Sequence, residues 1–542
     1  LGNHPRNVSW LNPEIQNKLL HLLSLEVVSQ IADDLRGSCF SILCDEVSDR
    51  SNSELMSIIL RYVTTFGFIR EAVVGLIKAD STAAANLCSV VDARLKELRL
   101  SVNDIVGQCY DGASNMSGHT SGLQARLKDL SIRKPIFVHC WAHVLNLVLL
   151  DICKQVSACA RTFELLHSVY VVVEGSPKRH GEYMTLIADL GLDDGLKVLQ
   201  SLAATRWAAR CVNLKIVERC LSAILKFLEQ QTDAISSGLL KSLSCFDFVF
   251  GLQFLKLLFE HVNVASEALQ ATDVDLAAAA VAVDDLKKFV QKMRRDEMEY
   301  IRLFDRTVKL CLSLGIDLRS EATTKPKRKR QFPPSLQNCV MDTFLTKTSG
   351  AVVSNQGLNQ DLAEDELRHE VRLNFFIPVL DTVGLALESR FNAECMTVVR
   401  YISCVMKRDD NFEAAVRQLS KLAQLDGDVC VTEGQLLFCN DVYRSLDSLQ
   451  TFTQTMIASN HSIVYKNFFS LIKYLLTLPV TSASCERAHS KVDLVKCAVR
   501  ASMSSERLED LVILSSEKQI LDHISLAAVV DRFAGFDRGL PL

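Results

Sequence analysis

Apolar residues recur along this chain with two different periods, and the change from one to the other divides it. Residues 13–36 place Ile15, Leu19, Leu22, Leu23, Val27, Ile31 and Leu35 at helical spacing, which predicts a helix. Three β-rich runs follow, at Cys39–Cys44, Leu55–Thr65 and Ile69–Ile77. Short polar or glycine-containing links join them, so they are expected to pair as an antiparallel meander. Ser81 is expected to cap a helix reaching about Leu98, with Ala84, Leu87, Val90, Val91 and Leu95 on one face. Next come a strand at Ile105–Tyr110, a helix near Gly122–Leu130, a strand at Ile136–Cys140 and a helix at Ala142–Val156. Three strands, a helix, a strand, a helix, a strand and a helix is the element order of an α/β RNase H-like fold with a mixed five-stranded sheet. Other α/β folds contain similar stretches.

From about Val212 to Ser470 the helical period dominates, and Ala277–Ala282 is a strong helix former. The basic residues Lys325, Lys327, Arg328, Lys329 and Arg330, followed by Pro333 and Pro334, break this region and read as an exposed loop. Thr346–Asp361 is a second weakly structured stretch. A compact apolar pattern returns after 471. Tyr474–Val480 leads to a polar turn at Thr481–Ser484, then to a helix carrying Glu486 and a later amphipathic helix at Glu506–Leu514. Four segments are therefore expected: a helical lead-in at 1–38, the first part of the core at 39–211, a large all-α insertion at 212–470, and a C-terminal completion with a helical segment at 471–542.

Composition narrows the function classes. With a net charge of −4 the whole chain does not steer toward nucleic acid, so any DNA contact must come from a local basic surface. The cysteines lie scattered through apolar segments, as at Cys39, Cys44, Cys311 and Cys404, and form no C-x-x-C pair. That pattern argues against a zinc ribbon or a disulfide framework and for a reduced, intracellular setting. No uncharged apolar run approaches the roughly 20 residues that span a bilayer, so no membrane association is expected. Leu1–Trp10 lacks the basic start and apolar stretch of a signal peptide. The chain opens on Leu rather than Met, and a longer parent protein is the expectation.

Two aspartates carry the candidate chemistry. Asp45 follows the first predicted strand and Asp111 the fourth. In an RNase H-like sheet these strands lie side by side and parallel, so their ends would bring the two carboxylates together. Such a pair repels, and a divalent cation relieves the repulsion. Hard oxygen ligands suit Mg²⁺ or Mn²⁺, and two such ions roughly 3.5–4 Å apart can drive phosphodiester cleavage. Asp is also a common turn residue at strand ends, which needs no chemistry. Glu46 and Asp49 are neighbours open to misassignment: Glu46 would point to the other side of an extended chain, and Asp49 lies beyond the strand.

The segment FSILCDEVSDRSNSELMSIILRYV around Asp45 resembles the first catalytic segment of hAT transposases, especially those related to zinc-finger MYM-type proteins. YDGASNMSG around Asp111 resembles the second. HCWAHVLNLV resembles the family's C-x-x-H block, with Cys140 and His143 at its positions. ATRWAAR, holding Arg206 and Trp207, resembles the block at which the helical insertion begins, and LPVTSASCERAHS places the third carboxylate at Glu486. The resemblance implies a DDE-type site of Asp45, Asp111 and Glu486 holding Mg²⁺ or Mn²⁺. It also implies DNA contact at Trp207 by stacking, beside Arg206, which suits phosphate contact or a helix cap, a packing role beside the site for Cys140 and His143, and a C-terminal dimerisation segment. The implied protein acts in the nucleus on transposon ends and target DNA as a homodimer or higher homo-oligomer.

Each block has a plainer alternative. Cys140 and His143 have zinc-compatible spacing but no second pair nearby; Trp207 fits a core aromatic; Glu486 fits a first-turn glutamate favoured by the helix dipole. The basic run reads as nuclear localisation, phosphate contact or a solvated loop. Leu508, Leu511, Val512 and Leu514 suit either a core or a subunit interface. For the whole protein, the alternative to a DNA transposase is a domesticated, catalytically inactive regulator that binds DNA or protein.

Overall fold

The computed structural model describes residues 13–49, 51, 53–79, 81–201, 207–318, 360–391, 393–497 and 502–534. Short polar links let consecutive strands fold back on one another, and helical crossovers let later strands run parallel. The chain uses both devices. After α1 (Pro13–Leu35), β1 (Phe40–Ser48), β2 (Glu54–Val63) and β3 (Ile69–Lys78) form the antiparallel meander. α2 (Ala84–Glu97) then returns the chain to β4 (Ile105–Tyr110), parallel to β1, and α3 (Leu123–Leu130) returns it to β5 (Ile136–His139), parallel to β4. The sheet order is β3-β2-β1-β4-β5.

β2 is buried at every position after Glu54, the pattern of a strand covered on both faces. Its one guanidinium, on Arg61, is buried and fully engaged. It bonds the Glu71 carboxylate at 2.8 Å and the carbonyls of Val274 at 2.6 Å and Leu476 at 3.2 Å. A buried charge persists only with such pairing.

Two local expectations are corrected. β1 runs on through Ser48 rather than ending at Cys44, because Asp45–Ser48 still pair with β2, Asp45 opposite Ser57 and Ser48 opposite Glu54. The polar sequence hid a strand end exposed on one side. Ser81 does not cap α2; the cap position is Ala83, and the Ser81 hydroxyl accepts the Ala83 N–H at 3.2 Å.

Contacts divide the chain into two units: Leu1–Val144 with Ala268–Ala282 and Phe391–Leu542, and Leu145–Glu267 with Val283–Arg390. These limits differ from the lines drawn at 212 and 470. A helix's apolar stripe shows that it buries a face, not against which neighbour. The second unit contains α5 (Ser157–Glu174), bent by 102° from α4 (Trp141–Gln155), and α6 (Trp207–Gln230). Its centre is the helix Phe246–Gln270, long and apolar enough by composition to cross a membrane. Here that helix is a core element. Phe250 and Phe254 are buried and packed edge-on against Phe375, and Phe254 also meets Phe376.

In the first unit later helices return to the sheet. α7 (Lys466–Thr477) and α8 (Ala483–Val495) pack on the central strands, and α9 (Ser505–Ser516) packs on α1 and β3. α10 (Leu526–Ala534) lies against α1. Leu508, Val512 and Leu514 are buried in that intrachain packing, and Leu511 is partly buried.

Candidate active site

The parallel ladder between β1 and β4 has Leu43 opposite Cys109 as its last pair. Two residues further along each strand stand Asp45 and Asp111. Alternation keeps them on the same side as that pair, and neighbouring strands lie about 4.8 Å apart. Asp111 sits just past the end of β4, its carboxylate accepting the Ala113 N–H at 3.1 Å. Asp45 accepts the N–H of Glu46 at 3.0 Å, and its side chain is 18% exposed.

Glu486 reaches the same sheet end from the first turn of α8. Several contacts fix that helix. β4 carries glycine at 107, where a Cβ would lie 2.5 Å from Pro479 and from the Ser41 hydroxyl. Leu478–Pro479 can therefore cross close to the sheet. The Trp141 N–H bonds the Val480 carbonyl at 3.1 Å, and the Ser482 N–H bonds the Cys140 sulfur at 3.3 Å. Glu71 accepts the Ser484 hydroxyl, and Arg487 bonds the Gln270 carbonyl at 2.9 Å. Cys140 thus acts through α8 as a positioning residue. The hydrogen-bonded Cys109 thiol brings its own thiol down to about 7; burial opposes this and the Ser482 donors reinforce it.

The electrostatics record the convergence. Burial first, then the charges of Asp111, Cys140 and Glu486, push the Asp45 carboxyl up to about 8. Asp111 and Glu486 are therefore both near enough for their charges to act on Asp45. Glu486 itself is exposed, and among the described residues no three His, Cys, Asp or Glu side chains close to metal-ligand distance. The donor set is all carboxylate, which fits a hard divalent cation. The crowding at Asp45 is what such an ion relieves.

The other expected residues fall into three groups. His143 stands beside the site: a Cβ on Gly112, next to Asp111, would lie 3.4 Å from its Nε2 and 3.1 Å from that of His139. Trp207 opens α6, but its side chain lies outside the described residues, as do Arg206 and the basic residues Lys325–Arg330. Asp49 is separate, paired with Lys496 at 2.6 Å.

Sequence reasoning missed His489. It lies one turn after Glu486 on α8, with Nδ1 3.8 Å from an Asp45 oxygen and Nε2 3.0 Å from the Ser57 hydroxyl. The signal was available in the i, i+3 spacing, which puts both on one helix face. Glu46 has its own polar neighbour. Its carboxylate accepts the Asn115 amide at 2.6 Å, and burial, with the Asp111 charge as a lesser contribution, pushes it up against that bond.

A mixed sheet with one acid within a central strand and another just past the end of its parallel neighbour is the setting of an RNase-like domain. Residues 1–122 match a family model described as DUF4371: ZMYM1/FAM200, RNase-like domain. The match supports a relationship to a transposase-derived, ZMYM/FAM200-like family over a stretch that contains Asp45 and Asp111 and ends before Cys140 and Glu486.

Proposed function

We propose that this chain is an RNase H-like, hAT-type transposase core that cuts DNA phosphodiesters through a DDE site of Asp45, Asp111 and Glu486. The observation that supports this most is the field of both Asp111 and Glu486 at a partly buried Asp45, three acids from remote parts of the chain. Those residues would hold Mg²⁺ or Mn²⁺, which supplies water activation and leaving-oxygen stabilisation. The protein's own part is positional. Ser57 donates its hydroxyl to the Asp45 carbonyl at 3.1 Å, and the Gly107–Pro479 crossing and Cys140 seat the helix of Glu486.

DNA, contacted at Arg206 and Trp207, is the proposed substrate. Import into the nucleus by Lys325–Arg330 and assembly into a homodimer or higher homo-oligomer belong to the same reading. The test is cleavage, with Mg²⁺ or Mn²⁺, of a DNA duplex carrying a terminal inverted repeat if the flanking genomic sequence holds one, and of a generic duplex otherwise. We expect Asp45→Ala and Glu486→Ala each to lower the rate by at least ~100-fold, about 2.7 kcal/mol in barrier. Equal cleavage by wild type and both variants overturns the assignment.

A further inference from the structure

Among the thiols outside the carboxylate site, one pair has the surroundings of a redox centre. Cys153 lies in the last turn of α4 and Cys159 in the first turn of α5, with their sulfurs 4.0 Å apart. The helices meet at Val156, whose backbone is extended at φ −112 and ψ 102, and bend there by 102°. The thiols therefore face each other across a break in the helical hydrogen bonding. Cys153 is partly exposed and Cys159 buried. Arg210, near the start of α6, directs Nη1 at the Cys153 sulfur at 3.7 Å while its guanidinium carbon lies 5.2 Å from the centre of the Phe163 ring.

We propose that Cys153 and Cys159 form a peroxide-sensitive dithiol, with Cys153 as the reacting and Cys159 as the resolving thiol. A reactive cysteine needs a stabilised thiolate, access to solvent and a partner thiol within reach. Here the Cys159 S–H and the Arg210 guanidinium supply the first, the partial exposure of Cys153 the second, and the 4.0 Å contact the third. The Cys153 thiol is held below its ordinary range, chiefly by the bond from Cys159, with the Arg210 charge adding to it against burial.

The step balances with hydrogen peroxide as oxidant. The Cys153 sulfur attacks one peroxide oxygen, the O–O bond breaks, water leaves and a sulfenic acid forms. The Cys159 sulfur then attacks that sulfur, its proton leaves with the hydroxyl as a second water, and an S–S bond replaces the S–O bond. Two thiols lose two electrons and peroxide gains them. Oxidation also removes the sulfur anion facing Arg210, three residues beyond Trp207 on the same helix.

The experiment is peptide mapping of the full chain after graded hydrogen peroxide and alkylation. We expect the peptides holding Cys153 and Cys159 to become joined, two hydrogens lighter and separable by dithiothreitol, before the exposed Cys439 is modified. Cys159→Ser should stop at a Cys153 sulfenic acid that dimedone captures. Arg210→Met should slow oxidation of Cys153 severalfold, with Arg210→Lys recovering part of the rate. The proposal fails if both thiols remain alkylatable once Cys439 is oxidised, or if wild-type Cys153 passes to sulfinic acid without pairing. Unchanged rates in Arg210→Met would remove the guanidinium from it.

Discussion

Asp45 and Asp49 lie four residues apart at the same end of the sheet and face the same helix, yet their electrostatics are opposite. At Asp49 the end of α8 supplies a cation. Lys496 and Asp49 are both buried, 2.6 Å apart, and the carboxylate also accepts N–H groups from Ser51 and Ser53 at 2.7 and 3.0 Å. Burial alone would raise this carboxyl, but these partners hold it at about 2. At Asp45 burial comes first, the charges of Asp111, Cys140 and then Glu486 at the start of α8 add to it, and the carboxyl stands at about 8. One acid is satisfied within the chain and stabilises the fold. The other is left crowded, the state that an external cation corrects.

The largest expected effect breaks the comparison at its closed end. Lys496→Met strands a buried carboxylate and should cost about 3–5 kcal/mol in urea unfolding, as removal of one partner of a buried pair does. Asp45→Asn removes repulsion and should leave metal-free stability equal or higher. A comparable loss in Asp45→Asn would mean that both acids are structural.

Metal should sharpen the contrast. Mn²⁺ at a hundred times its dissociation constant should stabilise the wild type by about 2.7 kcal/mol in thermal unfolding and should not stabilise Asp45→Asn. The same titration should leave Lys496→Met responsive, since its lesion lies away from the cation.

The pH dependence tests the same contrast. Between about pH 4 and 8 the folded chain keeps a proton on Asp45 that the unfolded chain has released, so the stability contributed by Asp45 falls as pH rises through that window. Asp49 behaves in the reverse sense: its contribution is complete above about pH 4 and is lost as pH falls toward 2. Denaturation across pH should show Asp45→Asn gaining on the wild type toward pH 8. A constant difference would contradict the crowding.

The smallest effect concerns the seating of α8. Ser484→Ala removes one donor to Glu71 and should cost about 1 kcal/mol of stability while lowering Mn²⁺ affinity severalfold. Unchanged affinity would show that the first turn of α8 does not depend on that bond.

The parts of this site that the sequence disclosed are those set by local pattern. Alternation and short links determined the meander, and helical stretches between strands determined the parallel neighbours, so Asp45 and Asp111 were legible as residues of adjacent parallel strands, although Asp45 lies within β1 rather than at its end. Glu486 was legible only through its block resemblance, because nothing local tells a first-turn glutamate where its helix will dock. Lys496 and His489 were not read at all: both act across the fold, on Asp49 and Asp45, and periodicity carries no record of such partners. The grouping of helices into units was hidden for the same reason.

The most direct measurement is Mn²⁺ binding, followed by electron paramagnetic resonance, to the wild type and to Asp45→Asn, Asp111→Asn and Glu486→Gln. If the three carboxylates grip one cation site, each single change lowers affinity by at least about tenfold, near 1.4 kcal/mol. Wild-type affinity in Glu486→Gln would contradict the account, leaving a pair of aspartates on adjacent strands and a helix that only packs beside them.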